Sequence, residues 1–312
     1  MGRRVSFDAG AEFRQFCGAI MDDPQTLLRR YGLMPRKSLG QNFLVAPNAP
    51  ARIVALAELT SEDTVLEVGA GLGTLTTELA AHAGRVIAVE TDPTLADILG
   101  REMADFSNVS VVHGDILALD LAALLDVTPA PSMPLWGEWL PHYAVVANLP
   151  YYITAAVLRH LLEAAVRPGR MVLTMQREVA QRITAAPGDL SVVAVGAQFY
   201  GKPRIGMQLK RGAFFPPPAV ESAVVRLDSY AEPPVPVRDV AHFFRVVRAG
   251  FAQKRKQLHN SLATTLSLAD ADVRTALTIA GVAPERRAET LSLLEWSGVA
   301  AALPSLPPMS RE

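Results

Sequence analysis

From Thr64 onward the chain repeats one unit: an apolar, β-branched run, a turn, then a helical stretch. The runs are Thr64–Val68, Arg85–Glu90, Val109–His113, Tyr143–Ala147 and Arg170–Gln176, with helices predicted over 74–82, 93–105, 154–165 and 177–185. Strands alternating with helices imply an α/β fold around a mostly parallel, doubly wound sheet. Leu190–Tyr200 and Ser222–Leu227 are predicted as two further strands, making seven. No helix is evident between these two, so one is expected to run antiparallel.

At 312 residues the chain has room for a second, smaller unit. Ala231 to Pro236 reads as a Pro-rich linker, and helices are predicted beyond it over 239–251, 254–266, 270–279 and 292–301. The expected division is a leader and basic arm over 1–36, a sheet domain over 37–230, an all-helical domain over 237–303 and a tail over 304–312. A helix from Pro24 to Tyr31, capped by Asp23, and another from Ala49 to Leu59 precede the sheet. The Pro-rich stretch 127–142 is expected to be a surface excursion.

Composition excludes several classes. Cys17 is the only cysteine, so no disulfide forms within the chain and no CxxC metal site exists. The six histidines have no ligand spacing, and no metal is expected. No apolar run approaches the ~20 residues of a membrane span, and acidic residues Asp8, Glu12, Asp22 and Asp23 argue against a transit peptide. The expectation is a cytoplasmic protein with no membrane contact. Formal net charge is −1, so any nucleic-acid contact must come from local patches.

The first strand of the repeat ends in Glu67-Val68-Gly69-Ala70-Gly71-Leu72-Gly73. Glycines there let the backbone turn sharply and approach a ligand. Glu90 ends the second strand, where an acid meets ribose hydroxyls. After the third strand, Asp115 of Gly114-Asp115 can accept from the exocyclic amine of an adenine. The fourth strand closes on Asn148-Leu149-Pro150-Tyr151. The Asn oxygen accepts a hydrogen bond, Pro150 stiffens the turn, and Tyr151 offers a flat face to a base. Together they suit a planar amine held edge-on.

The loop, Glu90 and Asp115 resemble class I S-adenosylmethionine-dependent methyltransferases, whose Rossmann-like sheet the 37–230 domain would share. With Gln41-Asn42-Phe43-Leu44, Asn148 to Tyr151, Phe214-Phe215-Pro216-Pro217-Pro218 through Val225, Ala249 to Leu258 and Glu285 to Ser292, the chain is similar to the KsgA-type small-subunit ribosomal RNA adenine N6,N6-dimethyltransferases. The resemblance runs from about residue 24 to 303. It implies two adjacent adenosines in a hairpin loop near the 3′ end of small-subunit (16S) rRNA, each methylated twice. The cofactor residues it implies are Asn42, Leu44, Gly69, Gly71, Glu90, Asp115 and Asn148, with Asn148, Leu149, Pro150, Tyr151 and Phe214 at the chemistry. Tyr151 and Phe214 are expected to sandwich the target base, while Asn148 and the Leu149 or Pro150 carbonyl accept its amine hydrogens. Tyr152-Ile153 and a short loop after Pro187-Gly188 depart from the family pattern.

Basic stretches Arg29–Lys37, Lys202–Arg211 and Arg245–Lys256 are the expected rRNA contacts of a monomer. Two other readings stay open: a large-subunit rRNA adenine methyltransferase of the macrolide-resistance type, and a non-catalytic ribosome assembly factor. A nicotinamide-dependent dehydrogenase would need a catalytic acid–base pair that is not evident.

Overall fold

The computed structural model of the chain describes residues 22–128 and 138–305. Helix α1 (Pro24–Arg30) starts as predicted, with the Asp23 carboxylate accepting from Gln25 N and Thr26 N. The short strand β1 (Phe43–Leu44) and helix α2 (Ala49–Ala57) follow. The repeat then runs β2 (Thr64–Val68), α3 (Thr74–Ala80), β3 (Arg85–Glu90), α4 (Pro93–Glu102), β4 (Val109–His113) and a short α5 (Leu121–Leu124). It continues through β5 (Glu138–Asn148), α6 (Thr154–Leu162), β6 (Val166–Gln176), α7 (Arg177–Ile183) and α8 (Val192–Tyr200). Strands β7 (Gly201–Leu209), β8 (Phe214–Phe215) and β9 (Ser222–Ser229) complete this half. Helices α9 (Val240–Phe251), α10 (Leu258–Leu266), α11 (Asp270–Ile279) and α12 (Leu293–Ala302) close the described chain.

The seven-stranded sheet has the order β4-β3-β2-β5-β6-β9-β7. Strand β9 is antiparallel to both neighbours, and the others run one way. Alternation along the strands divides the core. Leu66, Val68, Ile87, Val145, Ala147 and Leu173 face one side, under α6, α8 and the C-terminal helices, whose Phe243 and Trp296 join the same core. Val65, Val86, Ala144, Val146 and Val172 face the other side, under α2 and α3. The order reverses between β2 and β5, and at that switch point strand carboxyl ends leave a crevice.

Three expectations need correction. Leu190–Tyr200 is not a strand: Ser191 caps a helix from Val192, its hydroxyl accepting from Ala194 N at 3.3 Å. The valines suggested β structure, but burial of Ala194, Val195, Ala197 and Phe199 between the sheet and α9 overrides that propensity. The missing strand is β7, a polar sheet edge in which Pro203 is tolerated because no further strand among the described residues pairs beyond it. Second, part of the 127–142 stretch is not a loop. Strand β5 already pairs Glu138 with Val166 and Leu140 with Pro168, then shifts register before Ala144. Residues 129–137 lie outside the described residues, as do the leader over 1–21 and the tail from 306. Third, α10 starts at Leu258 and not at Lys254, so Lys254, Arg255 and Lys256 project from a turn.

Candidate active site

The crevice is a cavity of about 230 Å³ walled by the carboxyl ends of β2, β3, β4 and β5 and by the strap Leu39–Leu44. The glycine loop after β2 turns in the left-handed region at each alternate position, with φ of 73° at Gly69, 59° at Gly71 and 86° at Gly73. A side chain at any of them would be strained. Gly69 N and Ala70 N both donate to the Val89 carbonyl, which pins the loop to the end of β3.

Glu90 is buried at 6% exposure. Its two carboxylate oxygens accept from Gly71 N at 2.8 Å and Asp92 N at 2.9 Å. Burial raises its pKa, against the pull of those backbone donors. Each oxygen keeps a lone pair for a further donor, which suits a vicinal diol. Asp115 accepts from Leu117 N at 3.0 Å and lines the same cavity.

Glu67 stands on the cavity wall, 2% exposed, with its Oε2 unpartnered. Burial pushes its pKa up to about 8, and the Thr76 hydroxyl beside it pulls the other way. A buried carboxyl with an orphaned oxygen fits a ligand that brings a positive charge or a strong donor. Folding therefore carries a pH signature. The folded group holds its proton from the ordinary value of 4.5 up to about 8, whereas the unfolded group has lost it. The stability contributed by this group is thus full below pH 4.5 and falls as pH rises towards 8. Glu67→Gln is expected to flatten that slope in thermal denaturation of the ligand-free protein. An unchanged slope contradicts the assignment.

Asn148 ends β5. Its Nδ2 donates to the Asn42 carbonyl at 3.0 Å. A carbonyl accepts only, so the amide nitrogen must face it and Oδ1 is free to accept elsewhere. The strap is held in turn. Asn42 Nδ2 donates to the Gly40 carbonyl at 2.9 Å, Gln41 Nε2 donates to Asp92 at 3.1 Å, and Arg36 pairs with Asp92 at 3.1 Å. The Tyr151 hydroxyl lies 2.6 Å from Ser222 Oγ on β9, fixing the ring in the cavity wall. Tyr152, 63% exposed, packs its ring over Gly40, where an added Cβ would come within 3.2 Å.

Most predicted site residues converge. Asn42, Leu44, Gly69, Gly71, Glu90, Asp115, Asn148, Leu149, Pro150 and Tyr151 all line the one cavity. Phe214 does not. It pairs with Leu44 across β1 and β8, is 3% exposed, and belongs to the core beneath α2. Its ring has no face left for a base, which corrects the expected sandwich. Sequence reasoning passed over Asp92 and Ser222, whose partners are remote in the chain, and took Glu67 only as the start of the loop. Among the described residues no group of His, Cys, Asp and Glu is arranged to hold a metal, and no helix is long and apolar enough to cross a membrane.

The basic stretches differ. Arg30 pairs with Asp22 and Glu102, Arg36 with Asp92, and Arg204 with Asp228. Lys254, Arg255 and Lys256 are exposed and form no ion pair among the described residues.

The profile of the family "Ribosomal RNA adenine dimethylase" matches residues 33–303. A curated relative from Moorella thermoacetica, "Ribosomal RNA small subunit methyltransferase A", is 43% identical over 89% of this chain and 95% of its own. Its namesake from Dehalococcoides mccartyi is 41% identical over 89% of this chain and 91% of its own. Among solved structures, the 23S rRNA methyltransferase ErmE superposes with a TM-score of 0.64 at 29% identity, over 84% of this chain and 99% of that one. A Plasmodium falciparum dimethyladenosine transferase shares the fold, with a TM-score of 0.63 at 21% identity over 81% of this chain and 94% of that one. The chain belongs to the ribosomal RNA adenine dimethylase family.

Proposed function

We propose that this protein dimethylates the N6 amines of two adjacent adenosines in the 3′-terminal hairpin loop of small-subunit rRNA, as a cytoplasmic monomer acting in subunit biogenesis. The observation that carries the reading is the Asn148 amide, turned by the Asn42 carbonyl so that its oxygen can accept. The cleft suits S-adenosylmethionine: Glu67 would face its ammonium, Glu90 its ribose diol and Asp115 its adenine amine, along the glycine loop. The bound cofactor would supply an electrophilic methyl on a sulfonium.

This chain's residues then prepare the nucleophile. An adenine N6 lone pair is delocalised into the ring. Asn148 Oδ1 accepts one amine hydrogen. The Pro150 carbonyl is engaged by Ile153 N and the Thr154 hydroxyl, so the Leu149 carbonyl takes the second. Both contacts favour a pyramidal nitrogen with its lone pair forward, and dipoles fixed by the fold stabilise the charge that develops there. No strong base is needed, because the surplus proton leaves to water after transfer. The target base must leave its stack to enter, and Tyr151 gives it a face. Tyr151→Ala is expected to lower RNA affinity by about 1–3 kcal/mol. Tyr151→Phe is expected to lose only about 1 kcal/mol with the Ser222 contact. Equal losses in a filter-binding assay contradict the stacking role.

Within the Arg245–Lys256 stretch, the exposed Arg248, Lys254, Arg255 and Lys256 are the strongest candidates for phosphate contact. The large-subunit reading is weaker: identity to the small-subunit relatives is 41–43%, against 29% to ErmE. Methyl transfer to purified small subunits lacking the modification tests the proposal.

A further inference from the structure

A second cavity, of about 310 Å³, lies between α6, α8 and α9. Its walls are almost wholly apolar. Ala155 and Ala156 on α6 and Gly196 on α8 are small, so the helices leave a slot between them, and Phe244 of α9 lines it too. A Cβ built on Gly196 meets nothing within 4 Å. Arg159 and Arg248 also line the slot and are exposed. Arg159 pairs with Glu163 at 2.8 Å, but Arg248 forms no hydrogen bond or ion pair among the described residues. Partial desolvation of its head group and then the neighbouring Arg159 charge pull the Arg248 pKa down, and the Glu163 charge opposes them. Two guanidinium groups thus share one carboxylate beside an apolar slot, an arrangement that lacks an anion.

We propose that this slot receives an unpaired base of the rRNA substrate, near in the strand to the base in the catalytic cleft, with Arg248 and Arg159 holding its phosphate. The inference rests on the reading of the cleft as an rRNA adenine methyltransferase site. Helix α6 joins the two cavities, since Ile153 lines the catalytic cleft and Ala155 and Ala156 line the slot. Arg159 lies about 9 Å along the chain from Ile153 at ~1.5 Å per helical residue. That is roughly three stacked nucleotides at ~3.4 Å each. The charge is continuous as well, because Arg248 begins a run to Lys256 that contains no acid. Single-strand binding sites combine such a cationic track with apolar faces for the bases. With so few polar groups in its wall, the slot holds register and does not read base identity.

Gly196→Leu would place a side chain in the open slot, and leucine favours a helix over glycine, so the fold is expected to hold. With unmethylated small subunits as substrate, KM is expected to rise at least about tenfold. Turnover at saturating particles and S-adenosylmethionine affinity stay within about twofold. Arg248→Ala is expected to weaken binding and to reduce the slope of log affinity against log salt by about 0.7, the value for one phosphate of a single strand. Val193→p-benzoyl-phenylalanine, at the slot wall, is expected to photo-crosslink to rRNA close to the target adenosines. An unchanged KM for Gly196→Leu overturns the slot, as does a crosslink only to a ribosomal protein. If Gly196→Leu fails to fold, an unchanged salt slope for Arg248→Ala overturns it instead. If the wild-type chain transfers no methyl to the particles, the cleft reading fails first and the slot with it. A normal wild type with an indifferent slot variant rejects the slot alone.

Discussion

Asn148→Ala is expected to lower the rate of methyl transfer at saturating substrates by about 10²–10³-fold, the effect typical of removing one preorganised polar group at a reacting centre. RNA affinity is expected to stay within a few-fold, because phosphate contacts elsewhere dominate it. The split follows from geometry. Asn148 lines the crevice with its Nδ2 spent on Asn42, so in the proposed complex its oxygen would meet the reacting amine and little else. The variant also frees the Asn42 carbonyl, so a modest weakening of cofactor binding accompanies the main effect. Single-turnover transfer and filter binding on the same preparation separate the two quantities. Parallel loss of rate and RNA affinity would remove Asn148 from the chemistry and return it to the role of a strand-end cap.

Glu90→Ala is expected to raise the dissociation constant for S-adenosylmethionine about 100-fold. Two charge-assisted hydrogen bonds to a ribose diol contribute roughly 1.5 kcal/mol each, and about 1.4 kcal/mol is tenfold in affinity. Gly71 N and Asp92 N lose their acceptor in the same variant. Glu90→Gln keeps the shape but only one good acceptor, and is expected to fall between wild type and alanine. Calorimetric titration reads all three. Unchanged affinity in both variants would mean that the end of β3 does not hold the ribose.

The site was legible in the sequence where it is local. The glycine loop, Glu90, Asp115 and the tetrapeptide from Asn148 each occupy a strand's carboxyl end or the turn after it. A parallel sheet must bring such ends together, so predicting the sheet predicted their convergence. What failed was non-local. Valines at 192, 193 and 195 carry β propensity, and the Ser191 cap with burial of Ala194, Val195, Ala197 and Phe199 in the core makes the segment helical. Phe214 is expected as a stacking ring because the family resemblance puts it at the chemistry. Its pairing with Leu44, some 170 positions away, turns it into the core. The Ser222 partner of Tyr151 and the Asp92 partner of Gln41 and Arg36 arise likewise from tertiary contact. Glu67 left a faint signal, an acid in an otherwise apolar strand, whose meaning depends on complete burial.

The most direct test of the central claim is methyl transfer from radiolabelled S-adenosylmethionine to purified, unmethylated 30S particles, with 50S particles alongside, followed by nucleoside analysis of the RNA. The account predicts N6,N6-dimethyladenosine in 30S RNA alone, at two adjacent positions of the 3′-terminal hairpin loop. Label confined to 50S RNA, or none in either particle despite tight binding to 30S, would contradict it.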